Sequence, residues 1–144
     1  MIIATVLESG QETRVAITPQ SAKQYIKSGF QVIIEKEAGL AAGFSDADYE
    51  HVGVEVIKAR KNVLKKATIL LCINQPTAKE LSALGAGSLV IGHIDNEPEG
   101  ALIQWCLDKQ LSLLSMNLIP RLSRAQSMDS LSSQANLAGY RAVL

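Results

Sequence analysis

The chain has 144 residues, of which 47% are hydrophobic, and its 14 basic and 14 acidic side chains leave a formal net charge of zero. That length suits one α/β domain, or one and the start of another, with enough apolar surface to bury a core. Balanced charge excludes a chain drawn as a whole to nucleic acid or anionic lipid. No apolar run reaches the roughly 18 to 20 residues that cross a bilayer and no signal peptide is read, so a soluble cytoplasmic chain is expected.

Residues 1–7, MIIATVL, are short and β-branched and suit a buried strand. A polar loop at 8–13 contains Gly10 and precedes Arg14-Val15-Ala16-Ile17. Thr18 as N-cap and Pro19 at the first helical position start a helix to about Ser28, with Ala22, Tyr25 and Ile26 inward and Gly29 as the stop. Residues 31–35 form a second strand, which makes a right-handed βαβ unit with the first. After a loop with Gly39 and Gly43, Ser45 or Asp46 caps a short helix at 47–51, Gly53 ends it, and 54–57 is a strand. His51 reads as a last-turn residue favoured by the helix dipole.

Residues 58–66 carry Lys58, Arg60, Lys61, Lys65 and Lys66 without aromatics. They read as the solvated face of a short helix, not as a nucleic-acid site. TILLCI at 68–73 has the continuous apolar character of a central parallel strand. Thr77 caps a helix at 78–84, 88–91 is a strand, a helix runs from about 96 to 110, and 111–116 is the last strand. On that long helix Ala101, Leu102, Trp105, Cys106 and Leu107 are assigned inward. Cys72 and Cys106 sit in apolar runs with neither a CxxC nor a metal-ligand pattern, so buried free thiols are expected and no metal site is. The fold class is thus α/β: about six mostly parallel strands with helices on both faces, a Rossmann- or flavodoxin-like three-layer sandwich.

There is no GxGxxG. Gly85-Ala86-Gly87 follows a helix and precedes a strand, the reverse of a phosphate-binding turn. The chemistry concentrates instead after Pro120, where Arg121, Ser123, Arg124, Gln126, Ser127 and Asp129 fall within nine positions. Asp129, Ser130 or Ser132 caps a final helix with Leu131, Ala135, Ala138 and Ala142 along one side. A guanidinium, an amide and a carboxylate at a helix start can orient a flat polar ligand, and they can equally be a solvated loop.

The words PRLSRAQSMDSLSSQANLAGYRAV at 120–143 closely resemble the first domain of the alpha subunit of proton-translocating NAD(P) transhydrogenases. ETRVAITP, SGF and FSDADY resemble the same family and, more loosely, alanine dehydrogenases. The resemblance implies that Arg121, Gln126 and Asp129, with Ser132 beside them, form the loop at the nicotinamide where hydride passes from NADH to NADP+. It implies NAD(H) held mainly by a following Rossmann domain and NADP(H) on a beta subunit or domain. It also implies membrane-spanning segments elsewhere in the complex, a homodimer, and a peripheral place at the cytoplasmic face of the membrane, with no nucleic-acid partner. Residues 1–128 would be the α/β domain and 129–144 the start of a helix linking it to the missing NAD-binding domain, the chain being a natural or engineered fragment. Alone it is expected to bind no cofactor tightly and to be inactive.

Two departures weigh against an amino-acid dehydrogenase. The segment Cys72-Ile73-Asn74-Gln75-Pro76 lacks the substrate-binding lysine of alanine dehydrogenases, and Asp95 stands where their catalytic histidine would fall, with His93 two residues early. His93 then reads as a strand-end residue and Trp105 as core. Arg14, the motif arginine that binds a substrate carboxylate in alanine dehydrogenases, reads here as an ion-pair partner near the first loop. A third reading is a non-catalytic domain that binds a partner through the helix at 132–144.

Overall fold

The computed structural model describes residues 1–95 and 101–143. Six parallel strands form one sheet: β1 Ile2–Thr5, β2 Gln31–Glu35, β3 Glu55–Ile57, β4 Ile69–Leu71, β5 Leu89–Gly92 and β6 Ser112–Ser115. Their order is β3-β2-β1-β4-β5-β6, with Ile3 beside Val32 on one side and Ile69 on the other. The chain winds outward from β1 to β3, crosses back to β4, and winds the other way to β6. This is the doubly wound Rossmann order, with its switch point between β1 and β4.

Local chemistry starts three of the helices where the sequence suggests. In α1 (Pro19–Lys27) the Ser21 amide donates to Thr18 Oγ1 at 3.2 Å while the Thr18 amide donates back to Ser21 Oγ at 2.9 Å. Ser45 with Asp48 does the same for α2 (Asp46–His51), and Thr77 with Glu80 for α4 (Ala78–Ser82). Gly29, at φ 88°, takes the left-handed turn out of α1. The remaining helices are α3 (Arg60–Lys66), α5 (Ala101–Asp108) and α6 (Ser130–Val143). The expected start of the long helix at 96–100 lies outside the described residues.

The two sheet faces are covered unequally. On one, Val63 and Leu64 of α3, Leu81 of α4 and Cys106 of α5 pack on Ala4, Ile33, Leu70 and Val90. On the other, Ala22 of α1 and Tyr49 of α2 pack on Ile3, Val32 and Ile34, and the Tyr49 hydroxyl donates to the Ile17 carbonyl at 2.8 Å. Each fully buried aliphatic side chain here is worth about 1.5–3 kcal/mol. That second layer stops at β4: Leu114 of β6 is 42% exposed, and every residue described in α6 after Ser130 is exposed.

Three assignments of side-chain direction need correction. Leu107 is 64% exposed, because Cys106 takes the core direction of α5 and the next residue is turned about 100° away. Leu131, Ala135, Ala138 and Ala142 have helical spacing, yet they face solvent because no described element lies over them. Arg60 is not part of a solvated basic face but half-buried and fully paired. Lys58, Lys61 and Lys65 are exposed as expected. Among the described residues no helix is long and apolar enough to cross a membrane, and no group of three His, Cys, Asp or Glu is arranged to hold a metal.

Candidate functional site

In open α/β sheets a ligand normally lies at the switch point, outside the carboxyl ends of the strands. Here that crevice is filled from within. The Glu8 carboxylate, just past β1, accepts the Ile73 amide at 2.6 Å and the Asn74 amide at 3.0 Å, both just past β4. Beside it Arg60 donates to both oxygens of Glu35 (2.9 and 3.2 Å), to Glu80 and to the Leu7 carbonyl, while the Leu7 amide donates to Glu35 at 2.8 Å. Space left between these groups is about 20 Å³, room for about one water molecule and far too little for a nucleotide. Cys72 lies in the same wall, and burial, followed by the charges of Glu8 and Glu80, pushes its thiol up to about 12. It is a packing group and not a nucleophile.

The uncovered half of the sheet forms a wider cleft of about 730 Å³, floored by Leu71, Ile91 and Leu114 and edged by Arg14, His93 and Gln134. Arg14 is occupied by Glu12, with its Nε at 2.8 Å from Glu12 Oε1 and its Nη2 at 2.6 Å from Oε2. The bidentate Arg14 guanidinium holds the Glu12 carboxyl down at about 2. This is the ion pair expected of a structural arginine. Its remaining reach goes to α6, where Nη1 donates to Gln134 Oε1 at 3.3 Å. His93, directly after β5, lies with Nε2 at 2.9 Å from Ser130 Oγ, the first residue of α6. Among the described residues, two side-chain bonds thus tie an otherwise exposed helix to the loops after β1 and β5.

The third feature is an open groove of about 510 Å³ at the start of α6. The 3-10 turn Ser123–Met128 buries only Ala125 and turns Gln126 and Ser127 outward. Asp129 then caps α6: its Oδ1 accepts the amides of Leu131 and Ser132, each at 3.1 Å, and its Oδ2 accepts the Ser132 hydroxyl at 2.6 Å. Those bonds, from Ser132 above all and with help from the charge of Arg121, hold the Asp129 carboxyl below its ordinary range. Gln126, Asp129 and Ser132 line the groove together, while Arg121 stands outside its lining. Met116 and Met128 supply an apolar wall. Asp129 is therefore ionised and fixed in direction, and beside it the Gln126 amide has no hydrogen-bond partner among the described residues.

The sequence pointed to none of Glu8, Arg60 or Asn136, which also lines this groove. Asn136 lies one turn past Ser132, so a period-four reading of the final helix would have found it. Glu8 and Arg60 act through partners 20 to 66 residues away, which no local pattern signals.

The family described as alanine dehydrogenase/PNT, N-terminal domain, matches residues 6–138. The chain belongs to this family. It is 41% identical over 133 residues to the NAD(P) transhydrogenase subunit alpha of Cereibacter sphaeroides, covering 92% of this chain and 25% of that one. It is 35% identical over 133 residues to the NAD(P) transhydrogenase subunit alpha of Haemophilus influenzae, covering 92% and 26%. The chain therefore spans about a quarter of the length of these curated relatives. A solved transhydrogenase from Sinorhizobium meliloti superposes with a TM-score of 0.92 at 39% identity, over 99% of this chain and 43% of that one. A solved L-alanine dehydrogenase superposes with a TM-score of 0.78 at 24% identity, over 86% and 34%, and shares the fold.

Proposed function

We propose that this chain is the N-terminal part of the NAD(H)-binding component of an NAD(P) transhydrogenase, which passes hydride from NADH to NADP+ in a step coupled to proton translocation. The observation that carries the reading is the groove after β6. There an ionised carboxylate that caps α6 (Asp129), an amide unpartnered among the described residues (Gln126) and a hydroxyl (Ser132) face an apolar wall. That donor and acceptor set suits a flat ring bearing a carboxamide. Asp129 can accept from the carboxamide nitrogen, Arg121 at the rim can donate to its oxygen, and Gln126 can do either.

Hydride transfer moves one hydrogen with its electron pair between two nicotinamide carbons and needs no protein nucleophile. The nucleotides supply that chemistry and the protein supplies distance and angle. In this proposal Arg121 and Asp129 orient the ring of NADH, and Gln126 faces the second nucleotide. The sealed switch point supports a division of labour in which this part holds the reacting ring and a following Rossmann domain holds the rest of the dinucleotide. Residues 1–128 are then the α/β body and 129–144 the start of the connecting helix. The partners are that domain, an NADP(H)-binding beta subunit or domain, membrane-spanning segments and a second copy, at the cytoplasmic face of the membrane.

The test is Gln126→Asn in the full assembly. Shortening the amide by one methylene should slow single-turnover hydride transfer about ten- to a hundredfold, because small displacements at a reacting centre are costly. The NADH dissociation constant should barely change, whereas Arg121→Ala should weaken it as well. An unchanged transfer rate in Gln126→Asn removes this position from the site.

A further inference from the structure

The groove does not end at the residues assigned to the reacting ring. From Asp129 it continues along α6 past Ser132 and Ser133 to Asn136. At 1.5 Å per residue, Asn136 lies about 10 Å down the helix axis from the Asp129 cap. Positions 129, 132 and 136 follow the three- and four-residue spacing of a single helix face. Ser132 gives its hydroxyl to Asp129 and Ser133 gives its own to the Ser130 carbonyl at 2.9 Å. The Asn136 side chain has no hydrogen-bond partner among the described residues. Asparagine is a poor helix former, and on an exposed face packing does not call for it. The charged end of the groove, with Asp129 and nearby Arg121, thus gives way to a neutral end with one uncommitted amide.

We infer that Asn136 is a ligand-binding residue for the sugar attached to the reacting ring, its amide exchanging hydrogen bonds with ribose hydroxyls. A neutral amide that both donates and accepts matches vicinal hydroxyls, each of which does the same. With a carboxamide at Asp129, a ring lying along the groove would carry its glycosidic bond toward Asn136. The assignment rests on the reading of the groove given above.

The experiment uses the 144-residue chain labelled with nitrogen-15, titrated separately with nicotinamide and with reduced nicotinamide mononucleotide at millimolar concentrations. The side-chain amide of Gln126 should shift with both ligands, and that of Asn136 with the mononucleotide alone. Asn136→Ala should weaken the mononucleotide about three- to tenfold, the loss of one net hydrogen bond, and leave nicotinamide affinity within about twofold. If Asn136 is silent toward the mononucleotide while Gln126 responds, the inference is overturned and the reading of the groove stands. A shift of Asn136 with free nicotinamide also overturns the ribose assignment. If neither amide responds to either ligand, the groove reading falls and the inference with it.

Discussion

Two loop clusters lie at the carboxyl edge of one sheet, and they treat charge in opposite ways. Between β1 and β4, Glu8 gives its carboxylate to two backbone amides and Arg60 binds two more carboxylates and a carbonyl. After β6, Asp129 gives its carboxylate, among the described residues, only to the first turn of its own helix, and the side chains around it open onto solvent. The first cluster leaves about 20 Å³ and the second about 510 Å³. A doubly wound sheet offers its binding potential at the switch point. This chain uses that position for cohesion, and the groove proposed to hold the ligand lies at the outer end of the second half. Cohesion and binding then draw on different residues, so they can be altered separately.

The largest expected effect comes from breaking the sealed cluster. Arg60→Met leaves Glu35 and Glu80 facing each other without a cation and frees the Leu7 carbonyl. Removing one partner of a buried ionic network typically costs 3–5 kcal/mol. The Arg60 side chain is 33% exposed, so solvent screening reduces this to about 2–3 kcal/mol. Urea unfolding of both proteins measures the difference. A loss below about 0.5 kcal/mol would place Arg60 with ordinary surface ion pairs.

The difference between the clusters also marks what the sequence could disclose. The caps at Thr18, Ser45 and Thr77 were legible because a capping box is written within four residues. Strands were legible as apolar runs, although β4 proved shorter than TILLCI because its ladder pairing covers only Ile69–Leu71. Strand order was not legible: the pairing of β1 with β4 depends on where a crossover lands, not on either strand alone. Arg60 read as one cation in a basic run because Glu35 and Glu80 reach it from other elements. Gln126, Asp129 and Ser132, which line one groove, were singled out through resemblance to a family, while loop polarity alone left them indistinguishable from solvated residues. The spacing of Leu131, Ala135, Ala138 and Ala142 gave the helix correctly but said nothing about cover.

A smaller effect tests the bridge between the two clusters. The loop after β1 carries Glu12 and Arg14, and Arg14 reaches Gln134 of α6. Glu12 is held at about 2 against an ordinary 4.5, mainly by the Arg14 hydrogen bonds. Its folded value is the lower one, so the pair stabilises the fold above the unfolded value. That contribution fades as pH falls from about 4.5 to about 2. An ion pair this exposed on the arginine side is worth about 1 kcal/mol or less. Arg14→Gln should return Glu12 to the ordinary carboxylate range and flatten the part of the acid-stability curve due to this residue. Carboxyl-carbon NMR of Glu12 across pH 2 to 6 reads this directly. A midpoint unmoved by Arg14→Gln would mean that another group holds Glu12 down.

The smallest effect concerns whether the groove is open in solution. Gly139 sits inside α6, one turn past Asn136, and a Cβ built there meets nothing within 4 Å. Alanine is about 1 kcal/mol better than glycine in a helix interior. With no contact to violate, Gly139→Ala should stabilise α6 by about that amount. The gain should stay local, because α6 is tied to the sheet through Ser130 and Gln134 and shares no buried core with it. Hydrogen exchange should therefore slow about fivefold at the α6 amides, the factor corresponding to 1 kcal/mol, while the urea midpoint of the sheet stays fixed. If protection of α6 instead falls, a surface beyond the described residues must lie against Gly139 in solution, since those residues offer the new methyl nothing to strike. The groove would then be covered, and the contrast between a sealed switch point and an open outer site would have to be drawn for an assembly instead of a single chain.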